Sequence, residues 1–118
     1  MTRHTPSPPS DCERTGFALL DREVQRWVWE QRWAALRPVQ ERAIAPVLSA
    51  DTDVVITAAT AGGKTEAAFL PVCSALVEHT RAGRDTGVQA IYLSPLKALI
   101  NDQHRRISGL CSRLGVPV

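Results

Sequence analysis

The chain carries the run Val54-Val55-Ile56-Thr57, followed directly by Ala58-Ala59-Thr60-Ala61-Gly62-Gly63-Lys64-Thr65. The first run is β-branched and shows no alternation of polar and apolar residues, which is typical of a central parallel strand buried on both faces. The second run combines small residues with Gly-Lys-Thr, the pattern of a phosphate-binding loop that opens a helix. We therefore predict a strand, a phosphate loop and a helix, in that order.

The predicted loop suits the phosphates of a nucleoside triphosphate on physical grounds. Small residues allow backbone N–H groups to approach phosphate oxygens closely. The N-terminus of the following helix carries about half a positive charge and several unpaired donors. Lys64 is expected to reach the β- and γ-phosphates, and the Thr65 hydroxyl is expected to bind Mg²⁺. The motif usually begins with Gly, and Ala58 stands at that position here.

The rest of the chain alternates predicted helices and strands. Residues 88–93 form a second apolar run, predicted as a buried strand that Ser94-Pro95 ends. The spacing of apolar residues predicts helices over residues 21–32, from Pro38 onward, over 64–79 and over 97–114. Pro46 and Pro71 are expected to kink or shorten their helices. Strands that alternate with helices predict an α/β fold, with a parallel sheet and helices on its faces.

Length and composition limit the possible classes of protein. The 118 residues allow at most one domain. Residues 1–14 are polar and rich in proline, which predicts a disordered lead-in before a domain over residues 15–118. The net charge of +2 is compatible with nucleic acid but does not by itself indicate it. No apolar run approaches the roughly 20 residues of a membrane span, so we expect no membrane partner.

The cysteines give no sign of a disulfide framework or a metal site. Cys12, Cys73 and Cys111 are far apart and form no Cys-x-x-Cys pair. This spacing predicts free thiols in a reducing cytoplasm.

A glutamine upstream of the loop is a candidate for base recognition. The amide of Gln40 offers both a donor and an acceptor, which could pair with the N6 and N7 edge of adenine. Taken alone, a helical glutamine is more often a solvated surface residue. The residues around Gln40 favour the functional interpretation.

Three segments in order resemble motifs of superfamily 2 helicases. They are Leu36-Arg37-Pro38-Val39-Gln40, the phosphate loop, and Tyr92-Leu93-Ser94-Pro95-Leu96-Lys97-Ala98-Leu99. They look most like the DEAD/DEAH-box group, particularly its large-helicase-related type. The resemblance covers about residues 15–118. It implies the N-terminal part of a RecA-like ATP-binding domain, a P-loop fold with an incomplete parallel sheet in a three-layer sandwich.

The resemblance also implies roles for individual residues. Gln40 would contact adenine, near Phe17 or Trp33, and the loop would bind ATP and Mg²⁺. The nucleic-acid backbone, DNA or RNA, would lie against the last motif. The implied cofactor-binding residues are Gln40, Ala58, Ala59, Thr60, Ala61, Gly62, Gly63, Lys64 and Thr65, and the implied nucleic-acid contacts are Ser94, Pro95, Leu96 and Lys97, with Asn101, Asp102 and Gln103 continuing the pattern.

Other functions remain open at this point. The family's hydrolytic Asp-Glu motif is not found in this sequence. The resemblance therefore implies that the rest of a helicase, either a separate chain of a split protein or the remainder of a longer one, would supply the residues for hydrolysis. A non-catalytic nucleotide-binding or interaction module is the alternative from another class. A P-loop kinase is a third possibility, although about fifty residues precede the loop here. With few strands, the isolated chain is also expected to be marginally stable or to oligomerise.

Overall fold

A computed structural model of the chain describes residues 16–33, 35–59, 63–84 and 87–118. The predicted lead-in over residues 1–14 lies outside these ranges. Within them the chain forms five helices: α1 (Gly16–Leu19), α2 (Arg22–Glu30), α3 (Pro38–Ser49), α4 (Lys64–Arg81) and α5 (Lys97–Leu114).

Helix α4 is the centre of the fold. Its most extensive packing is against α3, while α2 and α5 contact it elsewhere and α1 lies on α3. The shared core is apolar and contains Leu20, Val24, Val28, Ile44, Leu70, Cys73, Val77, Leu110, Cys111 and Val116. Burial of these side chains is the main force that holds the helices together.

Most helix boundaries follow local sequence signals. Asp21 caps α2, because its Oδ1 accepts the N–H of Glu23 at 2.9 Å. Pro38 begins α3, where its missing N–H costs nothing. Gly115 ends α5 in the left-handed region, with a φ of 71°. The predicted start of α3 at Pro38 and the predicted end of α5 at residue 114 are confirmed.

The prediction that internal prolines would shorten their helices is wrong. Helix α3 continues through Pro46 to Ser49, and α4 continues through Pro71 to Arg81. A proline removes one helical hydrogen bond. Pro71 is among the largest fully buried side chains, so tertiary packing compensates for the lost bond in α4.

The predicted α/β fold with a parallel sheet is also wrong. Among the described residues, neither 54–57 nor 88–93 is a strand, and no sheet is present. Their side chains are largely exposed: Val55 is 86% exposed, Val88 80% and Leu93 85%.

The failure has a physical reason. A strand is stable only when neighbouring strands pair with its backbone and cover its faces. The described backbone hydrogen bonds outside the helices join helix ends and turns, and none connects residues 54–57 with 88–93. The apolar, β-branched composition of these two runs predicted strands. In the described part of the chain, neither run has a neighbouring strand to pair with. Without a sheet, the predicted three-layer RecA-like sandwich is also wrong for the described residues.

Polar contacts connect the first helices to α4 across long stretches of sequence. Ser74 Oγ accepts the Asp21 N–H at 2.6 Å, and Arg81 Nη2 donates to Asp21 Oδ1 at 3.1 Å. Arg81 Nη1 also contacts Asp21 Oδ2. Asp21 thus caps α2 and fixes it to α4. No helix in the described part of the chain is long and apolar enough to cross a membrane.

Candidate functional site

The N-terminus of α4 has no side-chain cap among the described residues. Gly63 precedes the helix with a φ of 82°, and no side chain of the described ranges caps the helix there. The Ala67 N–H already donates to the Gly63 carbonyl at 3.0 Å. The amides of the first turn have no such partner within the helix and carry its positive dipole end.

Gly63 cannot carry a side chain here. A Cβ at this residue would lie 2.4 Å from Gln40 Nε2 and 3.2 Å from Arg37 Cδ. Its positive φ is also unfavourable for any L side chain. The close approach brings the start of α3 directly against Gly63.

Gln40 is the link between these two segments. It is 5% exposed, its Oε1 accepts the Arg37 N–H at 3.0 Å, and its Nε2 donates to the Gly63 carbonyl at 3.4 Å. The structure therefore brings Gln40 to Gly63, directly before α4. In this arrangement the amide is bonded to Gly63, and its contact with adenine stays a prediction.

Lys64 and Thr65 lie at the first turn of α4 on different surfaces. Lys64 is exposed, and its Nζ donates to the Ala58 carbonyl at 2.9 Å. Thr65 is half-buried and lines a cavity described below. Ala59 is exposed, and the predicted loop residues Thr60, Ala61 and Gly62 lie outside the described residues.

The second predicted site is an exposed helix start. Pro95, Leu96 and Lys97 are exposed and Ser94 is partly exposed. Ser94 Oγ lies 3.5 Å from the Leu96 N–H, and among the described residues no side chain caps α5. Free amides and a lysine at this position can contact a phosphate without distinguishing sequence.

Two contacts connect the segments that carry these sites. The rings of Phe69 in α4 and Tyr92 lie 5.3 Å apart, and Arg106 Nη1 of α5 lies 3.3 Å from Glu66 Oε1. Glu66 belongs to the first turn of α4. Helix α4 therefore contacts both α5 and the segment that leads into α5.

A cavity of about 310 Å³ adjoins Thr65 between α2, α4 and α5. Trp33, predicted to lie near a bound base, lines it, whereas Phe17 stacks on Trp29 at 6.1 Å instead. Gln103 lines it as well and is 7% exposed. Gln103, which the resemblance placed in the continuation of the last motif, is thus buried on the inward face of α5.

Two buried thiols lie between α4 and α5. Cys73 and Cys111 are free and share a hydrogen bond. The bond from the Cys73 thiol lowers the pKa of Cys111 to about 7. The same bond, together with burial and the nearby Cys111 charge, raises the pKa of Cys73 far above its usual range. Among the described residues no group of three or more His, Cys, Asp or Glu side chains could hold a metal ion.

Comparison with known proteins identifies the family. Residues 37–118 match the family model described as DEAD/DEAH box helicase. The chain is 36% identical over 92 residues to ATP-dependent helicase Lhr-Core of Saccharolobus solfataricus. This alignment covers 77% of this chain and 10% of that protein. It is 34% identical over 82 residues to the mitochondrial ATP-dependent RNA helicase MSS116 of Kluyveromyces lactis. That alignment covers 70% of this chain and 12% of that protein.

A third relative matches a larger share of the chain. The ATP-dependent rRNA helicase spb4 of Neosartorya fischeri is 29% identical over 109 residues, 89% of this chain and 17% of that protein. The chain therefore spans between a tenth and a sixth of the length of these relatives. No solved structure matches it significantly.

Proposed function

The chain belongs to the DEAD/DEAH box helicase family, and on this premise we propose that it supplies the nucleotide-binding part of an ATP-dependent nucleic-acid helicase. The observation that carries the proposal is the contact between Gly63 and Gln40 at the uncapped N-terminus of α4. This contact holds the backbone of Gly63 at the start of α4, where phosphate oxygens would bind.

In the proposal, ATP binds at the first turn of α4. Free amides of the turn donate to phosphate oxygens. Lys64 exchanges its bond with the Ala58 carbonyl for the β- and γ-phosphates, since a charged acceptor forms the stronger bond. Thr65 supplies its hydroxyl to Mg²⁺, the ion that neutralises phosphate charge in such sites.

Nucleic acid binds, in the proposal, at the start of α5. Lys97 and the amides of this turn contact backbone phosphates, together with the exposed Ser94, Pro95 and Leu96. Relatives named RNA and rRNA helicases support a nucleic-acid substrate. Unwinding itself is proposed for the longer protein that those relatives represent.

The two lysines provide a reciprocal test. Each lies at an uncapped helix start and is exposed, so Lys64→Ala and Lys97→Ala are matched variants. We expect Lys64→Ala to lose Mg-ATP binding and to keep most binding of a single-stranded oligonucleotide. We expect Lys97→Ala to show the opposite pattern. Circular dichroism checks that both variants keep their helices.

The measurement is fluorescence anisotropy of labelled ATP and of a labelled oligonucleotide. Equal effects of both variants on both ligands would contradict separate sites. The oligonucleotide arm is repeated at increasing salt, because a phosphate contact releases counterions and the slope should decrease by about one when Lys97 is removed.

A further inference from the structure

Two free thiols from different helices meet inside the core. Cys73 belongs to α4 and Cys111 to the last part of α5, and they are only 2% and 3% exposed. Both lie in the same cluster of buried side chains, and they share a hydrogen bond. A disulfide forms without backbone rearrangement only where the two side chains face each other at short range. Side chains that share a hydrogen bond meet this requirement.

The surroundings of the pair favour a bond between the sulfurs over a metal site. Zinc sites in proteins take three or four protein ligands. Among the described residues no group of three or more His, Cys, Asp or Glu side chains could hold a metal ion. The other members of the cluster are apolar. Two adjacent thiols without a further donor are suited to bond with each other.

Cys111 is the thiol that reacts first with an oxidant. The hydrogen bond from Cys73 lowers the pKa of Cys111 to about 7, and the thiolate is the reactive form of cysteine. Helix α5 ends at Leu114, shortly after Cys111. Helix ends open locally at little cost in free energy, and such opening admits an oxidant as small as a peroxide.

We propose that Cys73 and Cys111 form a reversible disulfide within the chain when it meets a peroxide, and that this bond fastens α5 to α4. The Cys111 thiolate attacks one peroxide oxygen, the O–O bond breaks, and hydroxide leaves, which gives a sulfenic acid. The Cys73 sulfur then attacks the Cys111 sulfur. An S–S bond forms, the S–O bond breaks, and the hydroxyl group leaves as water with the Cys73 proton. The two thiols lose two electrons in total, and hydrogen peroxide takes them up to become two water molecules.

The bond closes residues 73–111 into a covalent loop. This loop contains the exposed apolar run 88–93 and the start of α5 at Lys97. Helix α4 packs most extensively on α3 and less on α5, so the bond strengthens the weaker of these two contacts. The proposal goes beyond the proposed function and does not depend on it, because it is tested without ATP or nucleic acid.

The test uses the full chain with Cys12→Ser, which leaves Cys73 and Cys111 as its two cysteines. The protein is treated with hydrogen peroxide and digested with trypsin without a reductant. We expect mass spectrometry to show the peptides 65–81 and 107–113 joined by a disulfide that dithiothreitol cleaves. The Tm of the undigested protein should rise by about 10 °C, because the cross-link restricts the unfolded chain.

Cys73→Ala and Cys111→Ala, each in the Cys12→Ser chain, are the matched controls. Each is compared with itself before and after peroxide, so a lower starting stability does not affect the result. We expect neither to show a rise in Tm that dithiothreitol reverses, because the remaining thiol has no partner within the chain.

A mixture of isotope-labelled and unlabelled protein distinguishes a bond within one chain from a bond between two chains. The proposal predicts linked peptides that are either both labelled or both unlabelled. It is overturned if folded, peroxide-treated protein contains no linked peptides, or if labelled and unlabelled peptides are linked in random proportion. It is also overturned if the linked protein has the same Tm as the reduced protein, since the bond then does not fasten α5 to α4.

Discussion

At the scale of single residues, Gly63 is the most constrained position of the proposed phosphate site. Its φ of 82° and its contact with Gln40 both exclude a side chain. The sequence motif was enough to predict a glycine-rich loop, because the residues that define such a loop are adjacent in the sequence. It could not predict the hydrogen bonds of Gln40 to Arg37 and Gly63, because these depend on how α3 packs on α4.

The first prediction compares two glycines with positive φ. Gly83 has a φ of 69°, and a Cβ at this residue would meet nothing within 4 Å, so Gly83→Ala carries the backbone strain alone. Gly63→Ala carries the same strain and also displaces the Gln40 amide. We expect it to be about 1 kcal/mol less stable than Gly83→Ala, the value of a typical hydrogen bond, and to lose Mg-ATP binding. Urea denaturation and anisotropy measure both effects, and equal stabilities would contradict the account.

The second prediction concerns Asp21. Its cap on α2 and its ion pair with the half-exposed Arg81 are both lost in Asp21→Ala. We expect a loss of about 2 kcal/mol in the free energy of unfolding, from a helix cap and one partly screened ion pair. Thermal unfolding checks this. The exposed Asp51→Ala serves as the control and should be nearly neutral; a neutral Asp21→Ala would show that the contact does not fix α2 to α4.

At the scale of elements, helices were predictable and strands were not. Helix α5 has the predicted bounds, Lys97–Leu114, and α4 differs from its prediction by two residues at one end. Helical hydrogen bonds and apolar spacing are both contained in the local sequence. The runs at 54–57 and 88–93 could form strands only if strands distant in sequence paired with them. Their composition alone therefore predicted strands that the structure does not contain there.

The third prediction concerns the thiol pair that joins α4 and α5. Between about pH 7 and the ordinary thiol pKa of 9.0, unfolding takes up a proton at Cys111, so stability should rise with pH. Above pH 9.0 unfolding releases a proton from Cys73, whose pKa is raised, so stability should fall again. The maximum therefore lies near pH 9, with an amplitude on the order of 2 kcal/mol.

Urea denaturation under reducing conditions measures this profile. Cys73→Ala removes the hydrogen bond that lowers the pKa of Cys111, so the maximum should disappear even if the variant is less stable at every pH. A profile that is the same in the parent and in Cys73→Ala would contradict the proposed pairing.

At the scale of the whole molecule, the helical core leaves two apolar segments uncovered. Val55, Ile91 and Leu93 are each more than three-quarters exposed. Exposed apolar surface of this kind favours association. This agrees with the expectation, still untested, that the isolated chain is marginally stable or oligomeric.

The fourth prediction is that the isolated chain self-associates through these segments. Sedimentation velocity should show a mass that increases with protein concentration. The double variant Val55→Lys and Leu93→Lys should shift the distribution toward the monomer, because like charges oppose contact between the segments. The matched variant Thr52→Lys and Ser112→Lys, at exposed polar positions, should not. A concentration-independent monomer in the parent protein would refute the prediction.

The most direct test of the proposed nucleotide site is a calorimetric titration of the chain with ATP, with and without Mg²⁺, beside Lys64→Ala. The account predicts saturable one-site binding that weakens without Mg²⁺ and is lost in Lys64→Ala, while both proteins keep the same helical circular dichroism. Absence of binding by a folded parent protein, or equal binding by Lys64→Ala, would contradict the assignment of the α4 N-terminus as the phosphate site.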